Sequence, residues 1–211
     1  MIRVLVVDDH ELVRIGLRRV LADYPDIHIA AEGGDGETAL QLSRKLRPDV
    51  VLLDVSLPGL SGFEITRRLR QASPDVAIMI LTVHEQAPYP ERLLEAGASA
   101  YLTKGCPAVE LVEAIRTVAR GGRHIGAAVA QKMALHALPG GEATPFDGLS
   151  AREMEVLLML TEGLKVAEIA DTMNLSPKTV ATYKYRIYEK LNTRSDVDMT
   201  RMAMRYGLVA A

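Results

Sequence analysis

The stretch Val4-Leu5-Val6-Val7-Asp8-Asp9-His10 opens the first hydrophobic run of the chain and decides how the rest is read. Four consecutive apolar residues, three of them β-branched, predict a strand buried on both faces, as in a parallel sheet covered by helices on either side. That strand runs directly into two adjacent carboxylates. Charges at the mouth of a hydrophobic core are costly unless a cation or a hydrogen-bond network compensates them. Asp8 and Asp9 therefore mark a site as well as the end of a strand.

Working outward, further short apolar runs at Ile27–Ala31, Val50–Leu53, Ala77–Leu81 and Ala100–Leu102 read as strands. Between and after them, Leu12–Leu21, Thr38–Leu46, Gly62–Gln71, Glu91–Ala96 and Ala108–Arg120 carry apolar residues at helical spacing. Five strands alternating with five helices predict βαβ units and a parallel sheet. Gly121-Gly122 ends the last helix, and an Ala-, Gly- and Pro-rich stretch follows, with Ala127–Leu138 helical within a linker. From Ser150 the pattern is all-helical: Ser150–Glu162, opened by the capping box Ser150-Ala-Arg-Glu153, then Val166–Met173, Pro177–Leu191 and Ser195–Tyr206. Asn174-Leu175-Ser176-Pro177 is the turn between the second and third of these, with Ser176 as N-cap and Pro177 at N1. The expected domains are residues 1–121, a partly helical linker over 122–147, and a second domain over 148–211.

Composition narrows the class. With 48% hydrophobic and 25% charged residues, the chain reads as an ordinary soluble protein, with no apolar run that could span a bilayer and no secretory leader. The lone Cys106 excludes an internal disulfide framework, so a cytoplasmic location is expected. The net charge of −2 is split: −3 up to Gly121 and +1 beyond it, too mild by itself to argue for a polyanionic partner.

In an open parallel sheet, reactive groups gather at the carboxyl ends of the strands. Here those ends carry Asp8 and Asp9, Asp54, Thr82 and, just past the fifth, Lys104. Three carboxylates, a hydroxyl and an ammonium thus converge on one rim. Clustered carboxylates suit Mg²⁺, Asp54 can act as a nucleophile toward a phosphoryl group, and Lys104 and Thr82 can bind the transferred oxygens. Two other patterns are weaker. Gly34-Asp35-Gly36-Glu37-Thr38-Ala39 fits a dinucleotide fingerprint but lies in the second βα turn, whereas the first holds Asp8 and Asp9; it reads as a plain turn. A haloacid-dehalogenase-type hydrolase would carry an Asp two residues past the nucleophile, where this chain has Ser56. His10 reads as a hydrogen-bonded helix-start residue and Cys106 as a loop residue.

The segments VVDDH, LLDVSLPGLSG around Asp54, Thr82 and YLTKG around Lys104 together resemble the receiver domain of two-component response regulators, over Met1 to Gly121. The resemblance implies a flavodoxin-like sheet of strand order 2-1-3-4-5 and Mg²⁺ bound by Asp8, Asp9, Asp54 and the backbone carbonyl of Ser56. It further implies phosphorylation of Asp54 by a partner histidine kinase, with Lys104 assisting and Thr82 and Tyr101 at the switch positions. Receivers often place Pro directly after this Lys; here Gly105 and Cys106 precede Pro107.

Val166–Met173, a short turn and Pro177–Leu191 have the proportions of a helix-turn-helix. Val180, Tyr183, Ile187 and Leu191 form the inward stripe of the second helix, and from Leu175 to Arg194 five basic residues face one acidic residue, Glu189. The segment from Leu149 to Tyr206, with LSAREMEVL, EIA and SPKTV, resembles the LuxR/NarL (FixJ) DNA-binding domain. Two positions depart from it: Lys165-Val166-Ala167 offers no polar N-cap, and Tyr183 replaces a common His. On this resemblance Lys178, Thr179, Ala181, Thr182, Lys184, Tyr185 and Arg186 face double-stranded DNA: Ala181 and Thr182 suit base edges and thymine methyls, while Lys178, Lys184 and Arg186 suit phosphates or guanines. TYKYRIYEKL, PYPERLLEAGASAYLTKG and PFDGLSARE most resemble a global-regulator subgroup, which implies a hybrid sensor kinase as partner and activation of small regulatory RNAs. Ser195–Tyr206, with Val197, Met199, Met202 and Ala203, either pairs two copies on near-palindromic DNA or packs on its own domain. The expected protein is a non-enzymatic, homodimeric transcription factor that engages RNA polymerase. The alternatives are a helical module that binds protein instead of DNA, and a DNA-binding protein with an inert receiver.

Overall fold

Strands without a polar face are stable only when helices cover both sides of the sheet, and the first two-thirds of the chain is built that way. The computed structural model describes residues 1–84, 89–138, 144–173, 175–206 and 208–209. It divides into two compact units whose boundary falls between Gln131 and Lys132.

In the first unit β1 (Ile2–Val7), β2 (Ile27–Gly33), β3 (Val50–Leu53), β4 (Ala77–Thr82), β5 (Ala100–Thr103) and β6 (His124–Ile125) form one parallel sheet of order 2-1-3-4-5-6. Between them run α1 (Glu11–Leu21), α2 (Gly36–Leu46), α3 (Gly62–Ala72), α4 (Tyr89–Glu95) and α5 (Ala108–Ala119). Val4, Val6, Leu52, Met79 and Leu102 pack with Leu17 and Leu21 of α1 and Leu111, Ile115 and Val118 of α5. The alternating residues Leu5, Val7, Val51, Leu53, Ile78 and Ile80 are equally buried and point to the opposite face. That two-sided burial is why β3 is wholly apolar and β4 is apolar up to its terminal Thr82, whereas the edge strand β2 carries His28 and Glu32.

The sequence predicts five strands, and the structure adds a sixth. β6 is two residues long, pairs with Ala100 and Tyr101 of β5, and contains no apolar run that could have announced it. It follows Gly121, whose φ of +82° ends α5, so the stretch after Gly122, expected as linker, first contributes a strand to the sheet. α6 (Ala127–Ala137) comes next, as the helical part of that stretch. Residues 139–143 of the expected linker, and Asn174 of the expected turn, lie outside the described residues.

The Gly34–Ala39 segment is a capped turn, as its position predicted. Asp35 caps α2, accepting from Thr38 N at 2.8 Å and from Thr38 Oγ1 at 2.8 Å. Gly36 is needed for close packing: a Cβ there would stand 2.7 Å from Ile65 Cδ1.

The second unit contains α7 (Ala151–Thr161), α8 (Val166–Met173), α9 (Pro177–Leu191) and α10 (Asp196–Arg205). The Ser150–Glu153 capping box is formed, and Ser176 caps α9 ahead of Pro177. Lys165 has no capping side chain, but Glu168 substitutes by reaching back to accept from Lys165 N at 2.6 Å. Met154, Leu157, Ile169, Met173, Val180, Ile187, Leu191, Met199 and Ala203 make the core, and Phe146 meets Tyr206 edge to face at 5.9 Å.

Gly62 opens α3 directly against the loop after β3. A Cβ at this position would lie 2.8 Å from Val55 Cα and 3.0 Å from Val55 O, where backbone must yield. Gly62→Ala is expected to lower the unfolding free energy by about 1–3 kcal/mol in urea titration; an unchanged midpoint would show that this approach has slack.

Candidate functional site

The backbone ladder of the sheet continues one residue past three strands and pins the residues that form the site. Asp8 N donates to Gly33 O at 3.1 Å, Asp54 N to Val7 O at 2.9 Å, and Lys104 N to Thr82 O at 2.8 Å. Because β1 lies beside β3, the carboxylates of Asp8 and Asp54 meet. Both residues are buried, at 2% exposure each. Lys104 Nζ lies 2.7 Å from Asp8 Oδ2 and 2.7 Å from Asp54 Oδ2, bridging the two. The other oxygens are also engaged: Asp54 Oδ1 accepts from Val55 N at 2.7 Å and Ser56 N at 3.3 Å, and Asp8 Oδ1 from His10 N at 2.9 Å. Burial opposes the charge on Lys104, but its hydrogen bonds to Asp54 and Asp8 outweigh that and lift its pKa above the ordinary lysine value.

Asp9 and His10 are exposed, with His10 Nδ1 2.7 Å from Asp9 Oδ1. One ligand atom each from Asp8, Asp9, His10 and Asp54 falls within 4.8 Å of all the others. His10 is the N-cap residue of α1, as its sequence position suggested, but it belongs spatially to the acidic group.

Thr82 and Tyr101 are fully buried behind this rim. Both converge on one backbone segment: Thr82 Oγ1 accepts from His84 N at 3.3 Å, and Tyr101 OH donates to His84 O at 2.8 Å. The His84 ring reaches the other side, with Nε2 3.2 Å from Ser56 Oγ. Burial, opposed by the Asp54 charge, holds its pKa below the ordinary histidine value. Sequence reasoning did not single out His84, because a lone His after Thr82-Val83 carries no spacing signal. Cys106 packs half-buried against the α5 core; burial, with the Glu110 charge adding, pushes its thiol pKa up, away from reactivity.

On α9, Lys178, Ala181, Thr182, Tyr185 and Arg186 are exposed, and Thr179 is partly so. Val180, Ile187 and Leu191 face inward as expected, whereas Tyr183 is only half-buried. Lys184 is turned toward α10, its Nζ 2.6 Å from Asp196 Oδ2. The apolar residues of α10 divide. Met199 and Ala203 are buried in the unit's own core, while Val197 is exposed.

Comparison with known proteins agrees with both halves. The family described as response regulator receiver domain matches residues 4–116, and the one described as bacterial regulatory proteins, luxR family, matches residues 147–203. The chain belongs to the LuxR-family two-component response regulators, which join a receiver to a LuxR-type DNA-binding domain and regulate transcription in a phosphorylation-dependent way. The response regulator GacA of Pseudomonas aeruginosa is 48% identical over 212 residues, covering 100% of this chain and 99% of that protein. The response regulator UvrY of Escherichia coli is also 48% identical over 212 residues, covering 100% of this chain and 97% of that protein. These relatives bear out the subgroup read from the sequence. A structure of RcsB from Salmonella enterica serovar Typhimurium, bound to promoter rprA in the presence of phosphomimetic BeF3−, shares the fold. Its TM-score is 0.78 at 24% identity, over 96% of this chain and 98% of that one. Among the described residues, no helix is long and apolar enough to cross a membrane.

Lys104 holds two buried carboxylates together, so Lys104→Met is expected to reduce the unfolding free energy at neutral pH by about 2–4 kcal/mol, discounted for the lysine's partial exposure. The folded-state pKa of Lys104 is raised, so its contribution is present below the ordinary lysine value and lost as pH rises through the raised one. The gap between wild type and variant should close above that pH in urea titrations; a gap unchanged at high pH would contradict the ion-pair account.

Proposed function

We propose that Asp54 accepts a phosphoryl group from a partner histidine kinase, of the hybrid type, and that this controls DNA binding by the second unit. The observation that carries the reading is the Lys104 ammonium placed 2.7 Å from both Asp8 and Asp54. A cation already fixed beside the nucleophile is suited to follow a transferred phosphoryl oxygen without reorganising the site. Asp54 Oδ forms the new P–O bond as the P–N bond to the kinase imidazole breaks, and the departing imidazole nitrogen takes its proton from water.

The donor set fits a magnesium ion. Asp8, Asp9 and Asp54 present carboxylate oxygens close to one another, the ligand chemistry of a hard divalent cation. Ser56, whose N–H already binds Asp54, would offer its backbone carbonyl. Such an ion, when bound, neutralises charge on the phosphoryl oxygens. The protein's own groups do the rest. Asp8 and Asp9 hold the acidic pocket, Lys104 pairs with the phosphoryl oxygens, and the Thr82 hydroxyl can leave His84 N–H to donate to one of them. Releasing His84 N–H would also disturb the segment that Tyr101 holds by its carbonyl, which carries the change from the pocket to the surface.

On the DNA side, α9 enters the major groove with Ala181, Thr182 and Tyr185 toward the bases and Lys178, Thr179 and Arg186 toward phosphates or guanines. Their exposure on one basic helix supports this, as does the promoter-bound state of RcsB, a protein of the same fold. Two copies would occupy a near-palindromic site and engage RNA polymerase. The resemblance of TYKYRIYEKL and PFDGLSARE to a global-regulator subgroup implies global regulatory targets, small regulatory RNAs among them, and the 48% identity to GacA and UvrY is in keeping with that subgroup.

Two measurements test the reading. Incubation with a small acyl-phosphate donor should label the wild type and leave Asp54→Asn unlabelled; persistent labelling of the variant would sink the site assignment. Lys178→Ala should weaken DNA binding across sequences and lower the slope of log affinity against log salt by about 1, whereas an unchanged slope would remove Lys178 from the phosphate contacts.

A further inference from the structure

We propose that Lys184 is a positioning residue of the DNA-binding unit: its ammonium, clamped by Asp196 and Tyr188, fixes α9 against α10 instead of meeting DNA phosphates. The inference rests on the reading of α9 as the DNA-contacting helix and assigns one of its basic residues a different task. By composition alone, Lys184 belongs with Lys178 and Arg186 as a phosphate contact.

Its surroundings differ from theirs. Lys178 and Arg186 are exposed, whereas the Lys184 side chain retains 25% of its accessible surface. Its Nζ sits 2.6 Å from Asp196 Oδ2, and the other oxygen of the same carboxylate accepts from Tyr188 OH at 2.7 Å. Lys184 and Tyr188 are four residues apart on α9, so one carboxylate engages two side chains on the same face of that helix. The ammonium also lies 5.6 Å from the centroid of the Tyr188 ring.

Asp196 is itself well anchored. It is the first residue of α10, after the N-cap Ser195, where the helix dipole favours a negative charge. Three residues on, Met199 is buried in the core, which seats the first turn of α10 on the rest of the unit. Partial burial disfavours the charge on Lys184, yet its hydrogen bond to Asp196 more than offsets this and raises its pKa. A phosphate would have to displace Asp196 and leave that carboxylate facing a polyanion. With the pair intact, Lys184 adds almost nothing to counterion release.

The geometry therefore separates two kinds of basic residue on α9. Those on the exposed face supply salt-dependent affinity. Lys184 sets the angle at which that face is presented, and so acts on discrimination between sequences.

The test uses the full chain with two probes: a duplex selected from a random pool by the phosphorylated wild type, and poly(dI-dC). Affinities are measured across a salt series for wild type, Lys184→Met, Asp196→Asn and Lys178→Ala, with circular dichroism and thermal unfolding confirming the fold of each. Lys184→Met and Asp196→Asn should each lower affinity for the selected duplex by about tenfold. Both should leave poly(dI-dC) affinity and both salt slopes unchanged, while Lys178→Ala flattens the slope. Asp196→Asn removes no apolar contact and keeps the test alive if Lys184→Met fails to fold. The proposal is overturned if Lys184→Met lowers the slope by about 1 and Asp196→Asn tightens binding, since Lys184 would then be a phosphate contact that Asp196 restrains. If no duplex is selected, or Lys178→Ala also leaves the slope unchanged, the DNA-contact reading of α9 itself falls, and the proposal with it.

Discussion

Lys104 bridges Asp8 and Asp54 at 2.7 Å each, a cation between two nearly inaccessible carboxylates. Much of the first unit can be understood as what that arrangement requires. The two aspartates must leave adjacent strands at the same level, which needs β1 beside β3 in register, Val7 opposite Leu53. The lysine must arrive from β5, two strands beyond β3, on the same rim. A parallel sheet aligns all its carboxyl ends, so it can meet both conditions, and its helices cover both faces so that the strands themselves need no charge. At that rim each partner offsets the cost of burying the others' charge.

Behind the rim a different economy operates. Thr82 and Tyr101 are buried, yet their hydroxyl groups meet the backbone of one residue, His84, from opposite sides. A hydroxyl bound to backbone can exchange that partner for a phosphoryl oxygen at small net cost, because one hydrogen bond replaces another. The same reasoning separates residues in the second unit. Lys184 and Lys190 are basic in sequence but hold Asp196 and Glu153 at 2.6 Å each, tying α9 to α10 and α7. The exposed face of α9 is left to Lys178, Ala181, Thr182, Tyr185 and Arg186.

Much of this was legible in the sequence, for physical reasons. Uninterrupted apolar runs ending in Asp8, Asp54 and Thr82 announce buried parallel strands with polar ends. Ser150 with Glu153, and Ser176 with Pro177, announce helix starts, because unsatisfied amides need an oxygen nearby. Features set by tertiary partners were not legible. β6 is two residues of an edge strand, recognisable only by its pairing with β5. His84 acquires its place from Ser56 and Tyr101, both distant in sequence. The diversion of Lys184 depends on Asp196, twelve residues away across a turn. Tyr183 counted as an inward residue by helical spacing, yet it lies half-exposed because the stripe is set by Val180, Ile187 and Leu191. Lys165 lacks a capping side chain, but the Glu168 carboxylate supplies one from three residues downstream.

Of the two carboxylates that Lys104 bridges, Asp8 and Asp54, we propose that Asp54 is the one that becomes phosphorylated. Borohydride reduction of the phosphorylated chain, followed by peptide mass spectrometry, tests it most directly, since reduction converts a phosphoaspartate to homoserine at its own position. Homoserine is expected at position 54 and at none of the neighbouring acidic residues. Homoserine at position 8 or 9, with position 54 unmodified, would contradict it.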